Sequence, residues 1–193
     1  MLLGLLQPAA ALATTYEEGD AAFHRKDYDT AMRHWLVLAH AGHVGAQLGV
    51  ARLYYSGLGV PLDYAHAFHW SSKAAEQNDP NAQCLLGAMY RDGKGVERDG
   101  AKAKAFFTQA AGRGIPGAQY NLGLLYLTGD LVIVDPAEAY YWLGLAATAQ
   151  GKEHAQMRTT ASYARDQARA KLSPQQIAEL DLRINASQAA QAR

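Results

Sequence analysis

The chain has 193 residues, 49% of them hydrophobic, and its 18 basic residues balance its 18 acidic residues to a formal net charge of zero. This composition is sufficient to bury a core. The sequence contains no run of basic residues of the kind that attracts nucleic acids or anionic membranes. The single cysteine, Cys84, excludes an intramolecular disulfide and a cysteine-rich metal site.

The first 13 residues, MLLGLLQPAAALA, form an apolar run that ends in the small-residue triplet Ala11-Leu12-Ala13. This pattern predicts the hydrophobic region and cleavage site of a secretory signal peptide, although no basic residue precedes Arg25. The run is shorter than the ~20 residues of a membrane-spanning helix, so we expect no membrane span. The mature chain is predicted to begin near Thr14 and to be periplasmic or secreted, with a cytoplasmic location as the alternative.

Three copies of a 36-residue pattern follow, at 45–80, 81–116 and 117–152, and they align without a gap. Matches at so many positions of one period indicate a repeated structural unit. The matched positions that shape each unit are Gly57, Gly59, Asp63 and Trp70 in the first copy, Gly87, Tyr90, Gly93, Gly95 and Asp99 in the second, and Gly123, Tyr126, Gly129, Asp135 and Trp142 in the third.

Each copy is predicted to form two helices. In the first copy, Ala46, Val50 and Leu53 follow the spacing of an amphipathic helix. The glycine at position 57 then ends this helix, because glycine adopts the left-handed conformation of a helix C-terminus without penalty. The aspartate at position 63 supplies the N-cap of the second helix.

One helix pair cannot bury its apolar side alone, so neighbouring pairs must stack into an all-α solenoid. Residues 14–44 read as a divergent first helix pair, because Asp27 and Ala31 lie one period before their counterparts in the first copy. Residues 153–193 are predicted to form capping helices, and the last of these begins with a capping box made by Ser173 and Gln176.

The pattern AQxxLGxxYxxGxGVxxDxxxAxxWxxxAAxxG, seen in NAQCLLGAMYRDGKGVERDGAKAKAFFTQAAGRG, resembles the Sel1-like repeat, a relative of the tetratricopeptide repeat. The resemblance covers about 16–185 and implies a superhelix of antiparallel helix pairs, with a C-terminal cap of the kind common in bacterial members. Two positions depart from the family pattern: Ala51 and Leu131 each stand where a glycine is usual. The third turn, which contains Leu131, is therefore expected to differ in shape.

The sequence carries no pattern typical of a catalytic, cofactor or metal site. The glycine turns lack the preceding strand and the fixed lysine of a phosphate loop. His66 and His69 are three residues apart on a predicted helix, but a stable metal site needs more ligands. No GxSxG or SxxK pattern marks a nucleophile. We therefore expect neither enzymatic activity nor a bound cofactor or metal.

The face of each first helix opposite its core stripe is the candidate partner-binding surface. This face is not uniformly polar, and it contains the arginine and aromatic residues that are enriched at interfaces. Packing against the neighbouring repeat is the alternative explanation for its apolar residues. Asn121 resembles the helix-borne asparagine with which related repeats hold a peptide backbone. The candidate residues are Leu48, Arg52, Tyr55, Arg91, Tyr120, Asn121 and Leu124.

These observations lead to three functional hypotheses. The first is a monomeric, non-catalytic scaffold of the bacterial envelope that binds a protein or peptide in a concave groove, without nucleic acid, in signalling, regulation or host interaction. The second is a protein that binds peptidoglycan fragments or resembles β-lactamases, a possibility raised by cysteine-rich relatives whose paired cysteines are missing here. The third is a cytoplasmic assembly adaptor.

Overall fold

The computed structural model describes residues 7–191, and the side chains of residues 16–190. Over this range it contains ten α-helices, one 3₁₀ turn and no strand, which confirms the predicted all-α class. The helices are α1 (Gln7–His24), α2 (Tyr28–His40), α3 (Val44–Ser56), α4 (Tyr64–Glu76), α5 (Pro80–Asp92), α6 (Gly100–Gly112), α7 (Pro116–Thr128), α8 (Pro136–Ala146), α9 (Ala155–Arg169) and α10 (Pro174–Gln191), with the 3₁₀ turn at Lys152–His154.

The helices form two compact units. Unit 1 contains the described residues up to Ala82 together with Lys94–Glu97, and unit 2 contains Gln83–Gly93 and the described residues from Arg98 onwards. In unit 1, α1 packs on α2, α2 on α3, and α3 on α4. In unit 2, α6 packs on α7, α7 on α8, and α8 on both α9 and α10. Short connections make successive helices antiparallel neighbours.

Glycine and aspartate set the ends of the helices, as the repeat pattern predicts. Gly57 and Gly129 end α3 and α7 in the left-handed conformation, with φ of 64° and 68°. At the next helix starts, the carboxylates of Asp63, Asp99 and Asp135 accept hydrogen bonds from backbone N–H groups of α4, α6 and α8. These bonds satisfy backbone donors that would otherwise lack a partner.

A buried glutamine on α3 and another on α7 connect these helices to the helices that precede them. Gln47 is 4% exposed, and its Nε2 donates to the carbonyl oxygen of Ala39 at 3.2 Å. Gln119, which is 3% exposed, repeats this bond to Ala111 at 3.4 Å. Each bond pairs a carbonyl near the C-terminus of a helix, so the repeated glutamine has a structural role.

Small residues on the first helices lie against large ones on the second helices. A Cβ added at Gly87 would come within 2.7 Å of the Phe107 ring, and one at Gly123 within 2.6 Å of Leu143 Cγ. One period earlier the glycine is replaced by Ala51, and the residue that corresponds to Phe107 is the fully buried Ser71. Ala51, which is larger than the usual glycine, is thus paired with Ser71, which is smaller than the phenylalanine at the equivalent position of the next repeat.

The third turn differs from the other two, as the departure at Leu131 predicts. Gly59 and Gly95 have φ of 67° and 70°, whereas Leu131 does not adopt a positive φ. A Cβ at Gly59 would lie 2.7 Å from the Cβ of Tyr28. In unit 2 the glycine is on the other side of the equivalent contact. Leu131 takes the position of Gly59 and lies directly against Gly100, which takes the position of Tyr28.

The C-terminal helices close unit 2 as a packed cap. The capping box forms: Ser173 N–H donates to Gln176 Oε1 at 2.9 Å, and Gln176 N–H donates to Ser173 Oγ at 3.2 Å. Leu180 and Ile184 of α10 are 9% and 7% exposed and join the hydrophobic cluster of α8 and α9. Tyr140 Oη donates to Asp181 Oδ1 at 2.8 Å, which fixes α10 against α8.

The predicted signal peptide lies partly outside the described residues, because 1–6 are not described and α1 begins at Gln7. Cleavage near Thr14 would keep the part of α1 that contacts α2, where Gly19 lies against Trp35. None of the helices over 7–191 has both the length and the hydropathy to cross a bilayer.

Candidate protein-binding surface

The first-helix face in unit 1 consists of the predicted residues Leu48, Arg52 and Tyr55 on α3. Leu48 is only 7% exposed, so it belongs to the core and offers little surface to a partner. Arg52 is exposed, and Tyr55 is half-buried at the C-terminal end of the same helix. The structure therefore leaves two of these three side chains accessible to a partner.

Tyr55 is held in place by an aromatic neighbour and a lysine. Its ring meets the ring of Tyr64 edge-on, with centroids 5.4 Å apart and an interplanar angle of 62°. Lys94 Nζ donates to Tyr55 Oη at 3.0 Å and lies 4.9 Å and 5.4 Å from the centroids of the Tyr55 and Tyr64 rings. These contacts combine a hydrogen bond with cation–π attraction and fix the orientation of the tyrosine.

The sequence did not identify Lys94 and Tyr64 as part of this surface. Lys94 lies between two turn glycines, and the turn brings it to Tyr55 because Gly95, with φ of 70°, packs directly on the backbone carbonyl of Tyr64. A side chain at position 95 would overlap that carbonyl. No sequence signal reveals this contact, since it depends on how consecutive turns pack.

In unit 2, the predicted residues Arg91 and Asn121 bind each other. Arg91 Nη1 donates to Asn121 Oδ1 at 2.5 Å, and its Nε and Nη2 donate to the Asp92 carboxylate at 2.7 Å and 3.2 Å. Asn121 Nδ2 donates to the Gly117 carbonyl at 2.8 Å. Both ends of the Asn121 amide are thus used within the chain, and a partner's backbone would have to displace Arg91 or Gly117.

The remaining predicted residues, Tyr120 and Leu124 of α7, are half-buried. Both pack against the hydrophobic cluster of α8, α9 and α10. Packing within unit 2 therefore accounts for part of their apolar character, which was the alternative explanation. The portions that stay exposed can still contribute to an interface.

The carboxylates of the helix caps Asp27 and Asp99 have pKa values below the ordinary value for aspartate. Bonds from the Thr30 side chain and backbone lower the pKa of Asp27, and the backbone N–H of Lys102 lowers that of Asp99. In both cases, hydrogen bonds to the ionised carboxylate are the main cause of the shift. These shifts mark structural caps rather than catalytic acids.

No metal centre is formed by the residues that the structure describes, because no group of three or more His, Cys, Asp or Glu side chains there is arranged to hold an ion.

Comparison with known protein families identifies the repeat. The sequence model of the family described as Sel1 repeat matches the chain four times in succession, at 9–43, 44–79, 80–115 and 116–150. No curated protein matches the chain.

Two solved structures are similar in fold. A Sel1 repeat protein from Oxalobacter formigenes superposes with a TM-score of 0.66 and 29% identity, over 76% of this chain and 56% of that chain. The protein c5321, a protective antigen present in uropathogenic Escherichia coli strains that displays an SLR fold, superposes with a TM-score of 0.53 and 23% identity, over 91% of this chain and 45% of that chain. The chain thus spans about half the length of each.

Proposed function

The chain belongs to the Sel1 repeat family, and from that premise we propose that it is a non-catalytic, monomeric scaffold that binds a protein or peptide. The binding surface is the first-helix face, with Arg52 and Tyr55 as its main contacts in unit 1. In unit 2, Tyr120 and Leu124 contribute their exposed portions, and Arg91 and Asn121 contribute as a bonded pair. The biological setting is envelope signalling, regulation or host interaction in a bacterium.

The observation that carries this proposal is the fixed orientation of Tyr55 beside the exposed Arg52. Tyrosine and arginine are the residue types most often responsible for binding energy at protein interfaces. Because Tyr64 and Lys94 already hold the ring, little side-chain entropy is lost when a partner covers it. Two basic residues, Arg52 three positions before Tyr55 on α3 and Lys94 at its hydroxyl, favour a partner segment that presents carboxylate or carbonyl oxygens.

The envelope location rests on the apolar run and the Ala11-Leu12-Ala13 triplet at the N-terminus. Sequencing the N-terminus of the exported protein tests this part of the proposal. We expect a mature chain that begins near Thr14. A chain recovered only from the cytoplasm with Met1 retained would indicate the assembly adaptor instead.

The binding surface is tested by affinity capture with the purified chain and two double variants. Arg52→Ala with Tyr55→Ala should reduce recovery of the principal partner about tenfold or more, since each hot-spot truncation typically costs over 1 kcal/mol. The matched control is Arg169→Ala with Tyr163→Ala on α9, where both residues are exposed. Equal recovery with both double variants would show that the assigned surface is wrong.

The absence of catalysis is tested on the same preparation. We expect no turnover of the β-lactam nitrocefin and no binding of purified muropeptides. Turnover that purifies with the chain would support the β-lactamase-like hypothesis, and muropeptide binding would support a peptidoglycan-fragment binder. Either result would overturn the proposed function.

A further inference from the structure

A groove in unit 1 is formed mainly by the second helices α2 and α4. Its volume is about 510 Å³, which is within the range of ligand pockets and can hold several amino-acid side chains. The residues that line it are Leu36, His40, Tyr54, Ala65, His66, His69 and Trp70. We call it the histidine–tryptophan groove.

Two histidines and a tryptophan form an ordered aromatic wall. The rings of His40 and His69 both meet Trp70 edge-to-face, with centroid distances of 5.0 Å and 5.2 Å and interplanar angles of 82° and 81°. Trp70 is only 5% exposed, whereas both histidines are exposed. The indole therefore fixes the two imidazole rings while leaving them accessible from the groove.

A third histidine completes the rim and has a carboxylate neighbour. His66 stacks on Tyr54 with centroids 4.9 Å apart, and its Nδ1 lies 2.7 Å from Asp63 Oδ2. Hydrogen bonds from the backbone and the ring of His66 hold the pKa of Asp63 below its ordinary value, so this carboxylate stays ionised in neutral and mildly acidic solution. Asp63 can balance one positive charge, that of His66.

The groove gains positive charge in mild acid. Histidine is the side chain that ordinarily changes charge between pH 5 and 8. The seven lining residues include three histidines, and none of the seven is an aspartate or a glutamate. Once Asp63 has balanced His66, protonation of His40 and His69 leaves two charges available to a ligand. The same residues do not form a metal site, because no such group occurs among the described residues.

We propose that the histidine–tryptophan groove binds an acidic peptide segment that carries an apolar side chain, and that this binding strengthens as the pH falls from 8 to 5.5. The peptide's carboxylates pair with His40 and His69, and its apolar side chain lies against Leu36 and the aromatic rings. Glutamate remains ionised at pH 5.5, so the ligand keeps its charge while the groove gains its own. This proposal does not depend on the first-helix face, which uses different residues.

Isothermal titration calorimetry with the full chain tests the proposal. The probe is a hexapeptide that alternates glutamate and phenylalanine, and the control peptide has lysine in place of glutamate. We expect about tenfold tighter binding of the acidic peptide at pH 5.5 than at pH 8, because two ion pairs of ordinary surface strength multiply to that factor. The lysine peptide should not bind at pH 5.5.

Two variants assign the effect to the groove. His40→Gln with His69→Gln preserves polar side chains of similar size without a titratable charge, and it should abolish the difference between the two pH values. His154→Gln in unit 2 is the control and should retain the difference. Circular dichroism at both pH values establishes that each variant is folded.

Several results would overturn the proposal. These are the absence of binding by the wild type at pH 5.5, equal affinity at both pH values, equal affinity for the lysine peptide, or an unchanged pH ratio in the double variant. Self-association of the chain at pH 5.5 that the double variant abolishes would identify a second copy as the occupant, and would also contradict it.

Discussion

Glycines allow close contacts between consecutive turns and helices. In unit 1, Gly59 lies against the Cβ and backbone of Tyr28, and Gly95 lies against the backbone carbonyl of Tyr64. In unit 2 the equivalent pair is reversed in size, with Leu131 facing Gly100. Each contact therefore has a glycine on one side, because the two backbones approach too closely for a Cβ at that position.

The reversed pair predicts a compensating double substitution. Gly100→Tyr alone should lower the free energy of unfolding by about 1–3 kcal/mol, because the new side chain overlaps Leu131. Leu131→Gly alone should lower it through lost packing. In the double variant, the sizes match those of Tyr28 and Gly59, so the loss should be smaller than the sum of the single losses by about 0.5–3 kcal/mol. Urea unfolding of the four proteins measures this coupling, and simple additivity would show that the two positions do not interact.

The lowered pKa values of the helix-cap carboxylates predict a specific dependence of stability on pH. For Asp27 and Asp99, the folded pKa lies below the ordinary value of 3.8, so the ionised caps stabilise the fold above about pH 4. That stabilisation is lost as the pH falls through the folded pKa. Asparagine is as good an N-cap as aspartate but does not titrate.

The double variant Asp27→Asn with Asp99→Asn should therefore have a thermal midpoint close to that of the wild type at pH 7. Between pH 5 and pH 2.5 its midpoint should fall less steeply than that of the wild type. Thermal melts followed by circular dichroism provide the comparison. Parallel curves for the two proteins would mean that these caps contribute nothing to acid unfolding.

At the residue scale, the sequence identified the departures but not their partners. The alignment of the three repeats at a fixed period of 36 residues showed that Ala51 and Leu131 replace glycines. The facing residues, Ser71 and Gly100, belong to other helices, and the direction of each side chain is set by packing that periodicity does not encode. The contact of Lys94 with Tyr55 was not predicted for the same reason, since Tyr55 lies 39 residues earlier in the chain.

At the scale of helices, α10 stabilises unit 2 through one face. Ile184 is 7% exposed and packs so closely on Gly144 of α8 that a Cβ at that glycine would overlap it. Leu182, two residues earlier on the same helix, is 71% exposed. Leu180 joins the same cluster, and α10 also makes polar contacts, among them the bond between Arg183 and Glu138, at 2.7 Å.

This asymmetry predicts different effects for two similar substitutions. Ile184→Ala should lower the free energy of unfolding by about 2–4 kcal/mol, because it leaves a cavity in the cluster. Leu182→Ala should change it by less than about 0.5 kcal/mol. Chemical denaturation of both variants measures the difference. Comparable losses would indicate that α10 does not pack on α8 as described.

The sequence predicted the helices well wherever a cap residue marked their ends. Glycine at 57 and 129 and aspartate at 63, 99 and 135 defined boundaries that the structure reproduces. The capping box at Ser173 likewise marked the start of α10. The face that α10 buries was not predicted, because its apolar residues do not repeat the 36-residue pattern that aligned the other helices.

At the scale of the whole molecule, the repeat period determined the fold class, and the site was predicted only in part. The positions on the first-helix face could be derived from the alignment of the repeats. The burial and the hydrogen-bond partners of the side chains at these positions could not. Leu48 proved to be core, and Arg91 and Asn121 proved to bind each other. Arg52 and Tyr55 remain available, which concentrates the proposed contact with a partner at the C-terminal half of α3.

The most direct test of this account is site-specific photo-crosslinking to the partner recovered by affinity capture. A benzophenone amino acid replaces Arg52 in one version of the chain and the 70% exposed Tyr163 of α9 in another. We predict a crosslinked product with the probe at position 52 and none with the probe at position 163. Crosslinking at position 163 without any at position 52 would contradict the claim that the first-helix face binds the partner.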